Sequence, residues 1–209
     1  MGAGRTEVVE TIFGARKKTA GKIFINGKEV TINTPKDAIR AGIGLVTEDR
    51  KQSGCFLPLS IRLNTVMAAL PQHCKGPFVQ QKKTGESAAA IKETLAVKAP
   101  STETIISNLS GGNQQKVLIG RWLLTEPEIL IFDEPTRGID VGSKAEIHRM
   151  ISDLAKQGKC IIMVSSELPE VMGMSDRILV MHEGELTGFV DRKDFSQETI
   201  MRYATGIVD

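Results

Sequence analysis

The 209-residue chain has few aromatic residues, few cysteines and no long apolar segment. Aromatic residues make up only 4% of the sequence, which argues against a nucleic-acid surface, where basic patches are interleaved with stacking side chains. The cysteines Cys55, Cys74 and Cys160 lack metal-ligand spacing and suit a reducing compartment. No apolar run approaches the roughly 20 residues that span a bilayer, and no signal peptide is recognisable. Any membrane association is therefore expected to go through a partner protein.

The chain also has little excess of charge of either sign. The formal net charge is +2 and the charges are interspersed, so neither an acidic nor a basic tail indicates a partner. The three histidines have no ligand spacing, and we assign them no chemical role. The apolar fraction of 41% and the length are typical of one domain with a good core.

A short apolar run followed by two carboxylates is the first feature that indicates chemistry. Residues 129–132 (I-L-I-F) predict a buried strand of a parallel sheet, from which Asp133 and Glu134 would emerge. Ligands of open α/β sheets bind at this end of the strands. One carboxylate there can hold Mg²⁺, and a neighbouring one can accept a proton from an attacking water. Taken alone, the pattern fits a buried strand and a polar turn equally well.

A serine-glycine loop precedes this strand by about the length of a helix. Ser110 is a predicted N-cap for a helix that begins near Asn113. Gly111 and Gly112 would let backbone N–H groups approach a ligand closely, and the helix N-terminus suits phosphate. The alternative is an ordinary glycine-rich turn. The order of the two elements favours phosphate chemistry.

At this point the chain resembles the nucleotide-binding domain of ABC transporters, whose signature motif is matched by L-S-G-G-N-Q and whose Walker B motif is matched by I-L-I-F-D-E. The resemblance implies ATP and Mg²⁺ as cofactors, with Glu134 as the catalytic carboxylate and Asp133 as a metal ligand. It also implies a D-loop at residues 136–140. The implied nucleotide-binding residues of these two segments are Ser110, Gly111, Gly112, Asn113, Gln114 and Asp140.

Further segments resemble one group within the family, the ATPase subunits of bacterial simple-sugar importers of the ribose, galactose and xylose type. These segments are G-A-G-R-T-E near the start, E-D-R-K at 48–51, D-E-P-T-R-G-I-D-V-G, and V-S-S-E-L-P-E-V. The match is to the second, C-terminal domain of such subunits. It implies as partners an N-terminal nucleotide-binding domain of the same polypeptide, transmembrane permease subunits and a sugar-binding protein, with no nucleic acid. The implied location is the cytoplasmic side of the bacterial membrane, held there by the permease.

The expected fold is α/β, a mostly parallel sheet like that of P-loop NTPases, since strands and helices alternate along the chain. We expect a single domain over 1–209, with a helical subdomain at about 48–125 inserted into a core formed by 1–47 and 126–209. Composition alone supports only an irregular, partly helical insertion there. The predicted elements are a hairpin at 21–32 turning at Asn26-Gly27, helices at 35–42, 86–96, 141–157 and 169–172, strands at 43–47 and 160–164 with Cys160 in the core, a hairpin over 177–190 and a last helix from about 196.

Three positions depart from the family pattern. The phosphate loop G-x-x-x-x-G-K-[ST] is matched by Gly4 and by Thr6, which would face Mg²⁺, but Arg5 replaces the lysine. Gly2 belongs to this loop, whose first glycine would fall before Met1, so we expect the native subunit to continue upstream.

The other two departures concern the γ-phosphate side. Ser166 stands where the family has its switch histidine, and a serine cannot carry positive charge there. Glu48 replaces a glutamine, and either holds a metal-bound water or is a solvated acid. We therefore expect the chain to contribute mainly its signature motif to ATP held by the partner domain. The predicted function is an ATP-binding and ATP-hydrolysing domain that powers import of a simple sugar. The alternatives are a catalytically impaired structural or regulatory half that supplies the signature to a partner domain's ATP site and, more remotely, an ATPase of DNA repair.

Overall fold

A parallel sheet carries the candidate site in the computed structural model, which describes residues 2–207. Strand β3 (Ile43–Val46) pairs in parallel with β6 (Ile129–Asp133), in a register that joins Ile43 to Ile129 and Val46 to Phe132. Strand β7 (Cys160–Val164) follows β6 in the sheet order. Every residue of β3 is buried, as expected for a strand covered on both faces. The α/β class with a parallel sheet is confirmed.

The chain divides into two compact units. The first consists of the described parts of Met1–Ala38 and Met163–Asp209, and the second of Ile39–Ile162. This division differs from the expected insertion at 48–125, which stays a prediction. We describe each unit by itself.

The second unit surrounds the sheet with helices that the sequence predicted in part. Helix α4 (Gln81–Thr94) was predicted at 86–96 but begins five residues earlier, and the signature helix α5 (Gly111–Leu123) begins at Gly111 rather than near Asn113. A short hairpin of β4 (Cys74–Lys75) and β5 (Phe78–Val79) lies in the polar segment before α4. The elements are α3 (Ile61–Val66), β4 (Cys74–Lys75), β5 (Phe78–Val79), α4 (Gln81–Thr94), α5 (Gly111–Leu123) and α6 (Val141–Lys156).

The first unit contains two antiparallel hairpins, and both were predicted. The hairpin of β1 (Ile23–Ile25) and β2 (Lys28–Val30) turns at Asn26 and Gly27, whose φ angles are 51° and 75°, as a two-residue turn with two left-handed residues requires. The second hairpin packs one face on α7 (Leu168–Met174) and α8 (Gln197–Ala204). The elements of this unit are α1 (Arg5–Ile12), β1 (Ile23–Ile25), β2 (Lys28–Val30), α7 (Leu168–Met174), β8 (Arg177–His182), β9 (Glu185–Asp191) and α8 (Gln197–Ala204), while α2 (Pro35–Arg40) crosses the boundary between the units.

One prediction about the core was wrong. Cys160 was expected inside the core because it opens an apolar strand, but its side chain is exposed. Ile162, two residues further on, is also 37% exposed. Cys160 and Ile162 are two residues apart and therefore lie on the same face of β7, which is open to solvent at these positions, whereas every residue of β3 is buried.

Candidate functional site

The two carboxylates after β6 lie where the sequence placed them. Asp133 is the last residue of the strand and is 2% exposed. Glu134 follows with a φ of 47°, a left-handed conformation that costs a residue other than glycine about 1–2 kcal/mol. The surrounding fold therefore holds the Glu134 backbone in a strained turn. Strain of this kind concentrates at functional sites.

The signature segment forms an exposed loop at the start of α5. Ser110 is exposed and stands at the N-cap position, but among the described residues its hydroxyl makes no capping bond to the helix backbone. Instead Ser110 Oγ accepts a hydrogen bond of 2.9 Å from Asn113 Nδ2. The predicted cap is therefore present in position but not in bonding. The first-turn N–H groups of α5 are not used by this side chain.

Asn113 and Gln114 shape the loop that carries Ser110. Asn113 Oδ1 accepts from Lys98 N at 2.8 Å, and Gln114 Nε2 donates to Leu109 O at 3.1 Å. Both side-chain amides are therefore hydrogen-bonded to backbone groups of nearby residues. The sequence assigned these two residues to nucleotide binding, and the structure shows their present partners within the chain.

Packing restricts the two signature glycines to different degrees. A Cβ on Gly112 would lie 2.5 Å from the Ser143 side chain on α6. A Cβ on Gly111 would lie 3.3 Å from Arg50 Nη2 and 3.4 Å from Gly138 O. The start of α5 therefore has no room for a side chain at Gly112, whereas at Gly111 the flexible end of Arg50 would have to move slightly.

Glu48 follows β3 and makes an ion pair with Arg137, in the segment after β6. Arg50 reaches the same segment, donating to Arg137 O at 2.8 Å and to Gly138 O at 3.2 Å. Asp49 is the N-cap of the short helical turn Arg50–Gly54, and its side chain accepts from Lys51 N and Gln52 N. Glu48, predicted as a metal ligand, has its carboxylate directed to Arg137 in this structure. Sequence reasoning missed Arg50 and Arg137, although E-D-R-K and T-R-G both stood out as motifs.

Asp140, assigned to nucleotide binding, is the N-cap of α6. Its Oδ1 accepts from Ser143 N at 2.9 Å. That backbone hydrogen bond lowers the pKa of the Asp140 carboxyl, so the capping form is ionised at neutral pH. Asp140 thereby fixes the end of the segment that follows Glu134.

The phosphate-loop residues belong to the first unit. Gly4 is the N-cap of α1 with a φ of 87°, and a Cβ there would lie 2.9 Å from Gly184 Cα, so only glycine fits. Arg5 and Thr6 form the first turn of α1, and Gly2 precedes it, exposed. This helix N-terminus is the kind of end that accommodates phosphate.

Arg5 has a partner at the end of β7. Arg5 Nη1 donates to Ser165 O at 2.7 Å, and Ser165 Oγ accepts from Glu167 N at 3.0 Å. Ser166 lies between Ser165 and Glu167 in the chain and is exposed. The structure therefore brings the substituted loop residue and the substituted switch position together within one unit.

Comparison with known proteins decides the family. The family model described as ABC transporter matches residues 1–137. The chain belongs to the ABC transporter family. An ATP-binding cassette of an ABC transporter, solved in a twinned crystal form, has the same fold with a TM-score of 0.80 at 20% identity, over 96% of this chain and 83% of that one. Its ADP conformation gives a TM-score of 0.77 at 19% identity, over 98% and 84% of the two chains. Membership of this ABC family implies nucleotide binding.

The curated relatives that this chain matches are named as import ATP-binding proteins. A ribose/galactose/methyl galactoside import ATP-binding protein of Geobacillus kaustophilus is 55% identical over 99% of this chain and 41% of its own length. Proteins of the same name from Halalkalibacterium halodurans and Burkholderia cenocepacia are 52% and 55% identical, and the chain covers 40% and 39% of them. The resemblance to this group is confirmed, and the chain spans about two fifths of these relatives. None of the helices described in residues 2–207 is long and apolar enough to cross a membrane.

Proposed function

We propose that this chain is a nucleotide-binding domain of an ATPase subunit that powers the import of a simple sugar. One observation carries the proposal most directly. An exposed Ser110 precedes the signature helix, and in the same unit Asp133 ends a buried central strand and Glu134 follows it directly. The names of the relatives support the sugar class and favour an active subunit over a purely structural half.

The residues present fit a magnesium ion that is shared with phosphate. Residues 2–207 contain no group of three or more acidic, histidine or cysteine side chains that could enclose a metal. Mg²⁺ is usually bound by one or two carboxylates together with substrate phosphates and water, so a closed protein cage is not required. Asp133 would be its ligand in the second unit, and the metal would neutralise charge on the phosphates. The Thr6 hydroxyl, in the first unit, stays a metal ligand predicted from the family resemblance. Glu134 would accept the proton of the attacking water.

The signature and the Walker B carboxylates are proposed to serve different nucleotides. The N-terminus of α5 with Ser110 would face ATP held by a second nucleotide-binding domain, where the helix dipole stabilises negative charge on the γ-phosphate. The chain's own site carries Arg5 and Ser166 in place of the expected lysine and histidine. Since Arg5 donates to Ser165 O in this structure, we expect that site to contribute less to turnover.

The longer protein would work with several partners. The second domain would be the N-terminal half of the same subunit, and permease subunits would hold the pair at the cytoplasmic face of the membrane. A sugar-binding protein would deliver the substrate. ATP binding would close the domain pair and hydrolysis would reopen it, with the permease following.

Reconstitution tests this function. The longer subunit, its permease and its binding protein would be assembled in vesicles, and uptake of labelled ribose and galactose measured with and without ATP. We expect ATP-dependent uptake of at least one of these sugars, together with a rise in ATP turnover when the loaded binding protein is added. ATP turnover that does not change when the loaded binding protein is added, together with no uptake of either sugar, would contradict the proposal.

A further inference from the structure

Arg50 joins three segments that the sequence motifs treat as separate. It belongs to the turn after β3, and its guanidinium donates to two consecutive carbonyls after β6, Arg137 O at 2.8 Å and Gly138 O at 3.2 Å. The same guanidinium borders the signature, because a Cβ on Gly111 would lie 3.3 Å from Arg50 Nη2. Arg50 is thus a contact point between the turn, the D-loop segment and the start of α5.

The contact depends on the shape of the guanidinium. A planar fork with several fixed N–H donors can bridge two adjacent carbonyls, whereas an ammonium acts as one compact charge. Gly138 has a φ of 65°, so the backbone turns there in a way that favours glycine and aligns both carbonyls with Arg50. The Arg137 side chain returns to Glu48, which gives the turn and the D-loop segment a second connection.

We infer that Arg50 is a positioning residue that fixes the signature glycines relative to the D-loop segment. The inference rests on the proposed function, in which the signature faces the partner's ATP. With Arg50 in place, Gly111 and Gly138 O are held close together, and Ser110 beside Gly111 has a defined position. Without Arg50, the D-loop carbonyls lose their donor and the start of α5 loses the side chain that lies against Gly111, so the signature is free to shift by small distances. Such displacements lower turnover without removing a reacting group.

The test uses the longer subunit assembled with its permease. Arg50→Met removes the fork and keeps an apolar stem, while Arg50→Lys keeps the charge. Lys51→Met is the matched control, since Lys51 is the exposed neighbour of equal charge. We expect Arg50→Met to lower kcat for ATP about tenfold, as loss of two charge-assisted hydrogen bonds allows, with KM changed less than about twofold. We expect Arg50→Lys to lose at least about threefold and Lys51→Met to stay within about twofold of the unmodified subunit.

A fourth variant separates failure of this inference from failure of the proposed function. Ser110→Asp places negative charge against the partner's phosphate, so the proposed function requires it to lower turnover. If Ser110→Asp is impaired and Arg50→Met is not, the role of Arg50 is overturned and the function stands. If Ser110→Asp turns over normally, the proposed function itself fails. Should Arg50→Met not fold, unchanged kcat in Arg50→Lys overturns the inference.

Discussion

Replacing Arg121 by methionine is expected to destabilise the 209-residue chain strongly, although Arg121 carries no motif function. The side chain lies on α5 and is 7% exposed. Nε donates to Asn64 O at 2.7 Å, Nη1 to Gly54 O at 2.7 Å and Nη2 to Asn64 Oδ1 at 2.9 Å. The guanidinium also lies 5.4 Å from the centre of the Phe56 ring. It therefore ties the signature helix to α3 and to the segment that precedes α3.

The magnitude follows from the acceptors that methionine would leave behind. Two buried backbone carbonyls, of Asn64 and Gly54, would lose a donor, and each unsatisfied group costs about 1–3 kcal/mol. Part of this loss is offset because burial disfavours the charge, lowering the pKa of Arg121 to about 10. We expect a net loss of about 2–4 kcal/mol. For a chain of this size that lowers Tm by about 4–16 °C.

The assay is urea and thermal unfolding followed by circular dichroism. Arg149→Met is the matched control, since Arg149 is exposed on α6 and its loss should change the free energy of unfolding by less than about 0.5 kcal/mol. Arg121→Lys should fall between the two, because an ammonium cannot satisfy all three acceptors. An Arg121→Met variant as stable as the control would refute the assignment of Arg121 as a structural junction.

Two further predictions concern stability. A Cβ on Gly120 would overlap the Ile91 side chain on α4, so Gly120→Ala should lower the free energy of unfolding by about 1–3 kcal/mol. Gly85 lies within α4 and a Cβ there meets open space, so Gly85→Ala should raise the free energy of unfolding by about 0.5–1 kcal/mol. Equal effects of the two substitutions in urea unfolding would contradict this account of the packing. The second prediction concerns Glu146, whose pKa is lowered by its 2.8 Å hydrogen bond and charge pairing with Lys116. Because the folded-state pKa lies below the ordinary value of 4.5, the pairing stabilises the fold above that pH and the benefit is lost as pH falls further. Glu146→Gln should therefore cost under about 1 kcal/mol at pH 7, since Glu146 is 41% exposed, and the difference from the unmodified chain should vanish in unfolding measured near pH 3.

Local patterns in the sequence predicted most of the elements, because their signals lie within a few residues of each other. The Asn26-Gly27 turn is one case, since a two-residue turn with positive φ angles needs these residue types. The strand ending in Asp133 is another, and the order of the motifs was sufficient to indicate the family. The roles of the assigned site residues stay predictions.

Long-range contacts could not be predicted in this way. Arg50 and its acceptor Gly138 are 88 positions apart, so no local pattern shows that they meet. The exposure of Cys160 likewise depends on what packs on its face of β7 and not on the apolar run itself. The packing demand on Gly112 comes from Ser143 on another helix, which the signature pattern does not contain.

The central claim is that this domain contributes mainly its signature to ATP hydrolysis, and steady-state ATP turnover of the longer subunit with its permease tests it most directly. Ser110→Asp keeps a good N-cap for α5 but sets a negative charge against phosphate, while Glu134→Gln removes only the proton acceptor of this domain's own site. The account predicts that Ser110→Asp lowers turnover by about a hundredfold, the scale of losing one transition-state contact, and that Glu134→Gln retains at least about a third of it. Turnover abolished by Glu134→Gln and little changed by Ser110→Asp would contradict it.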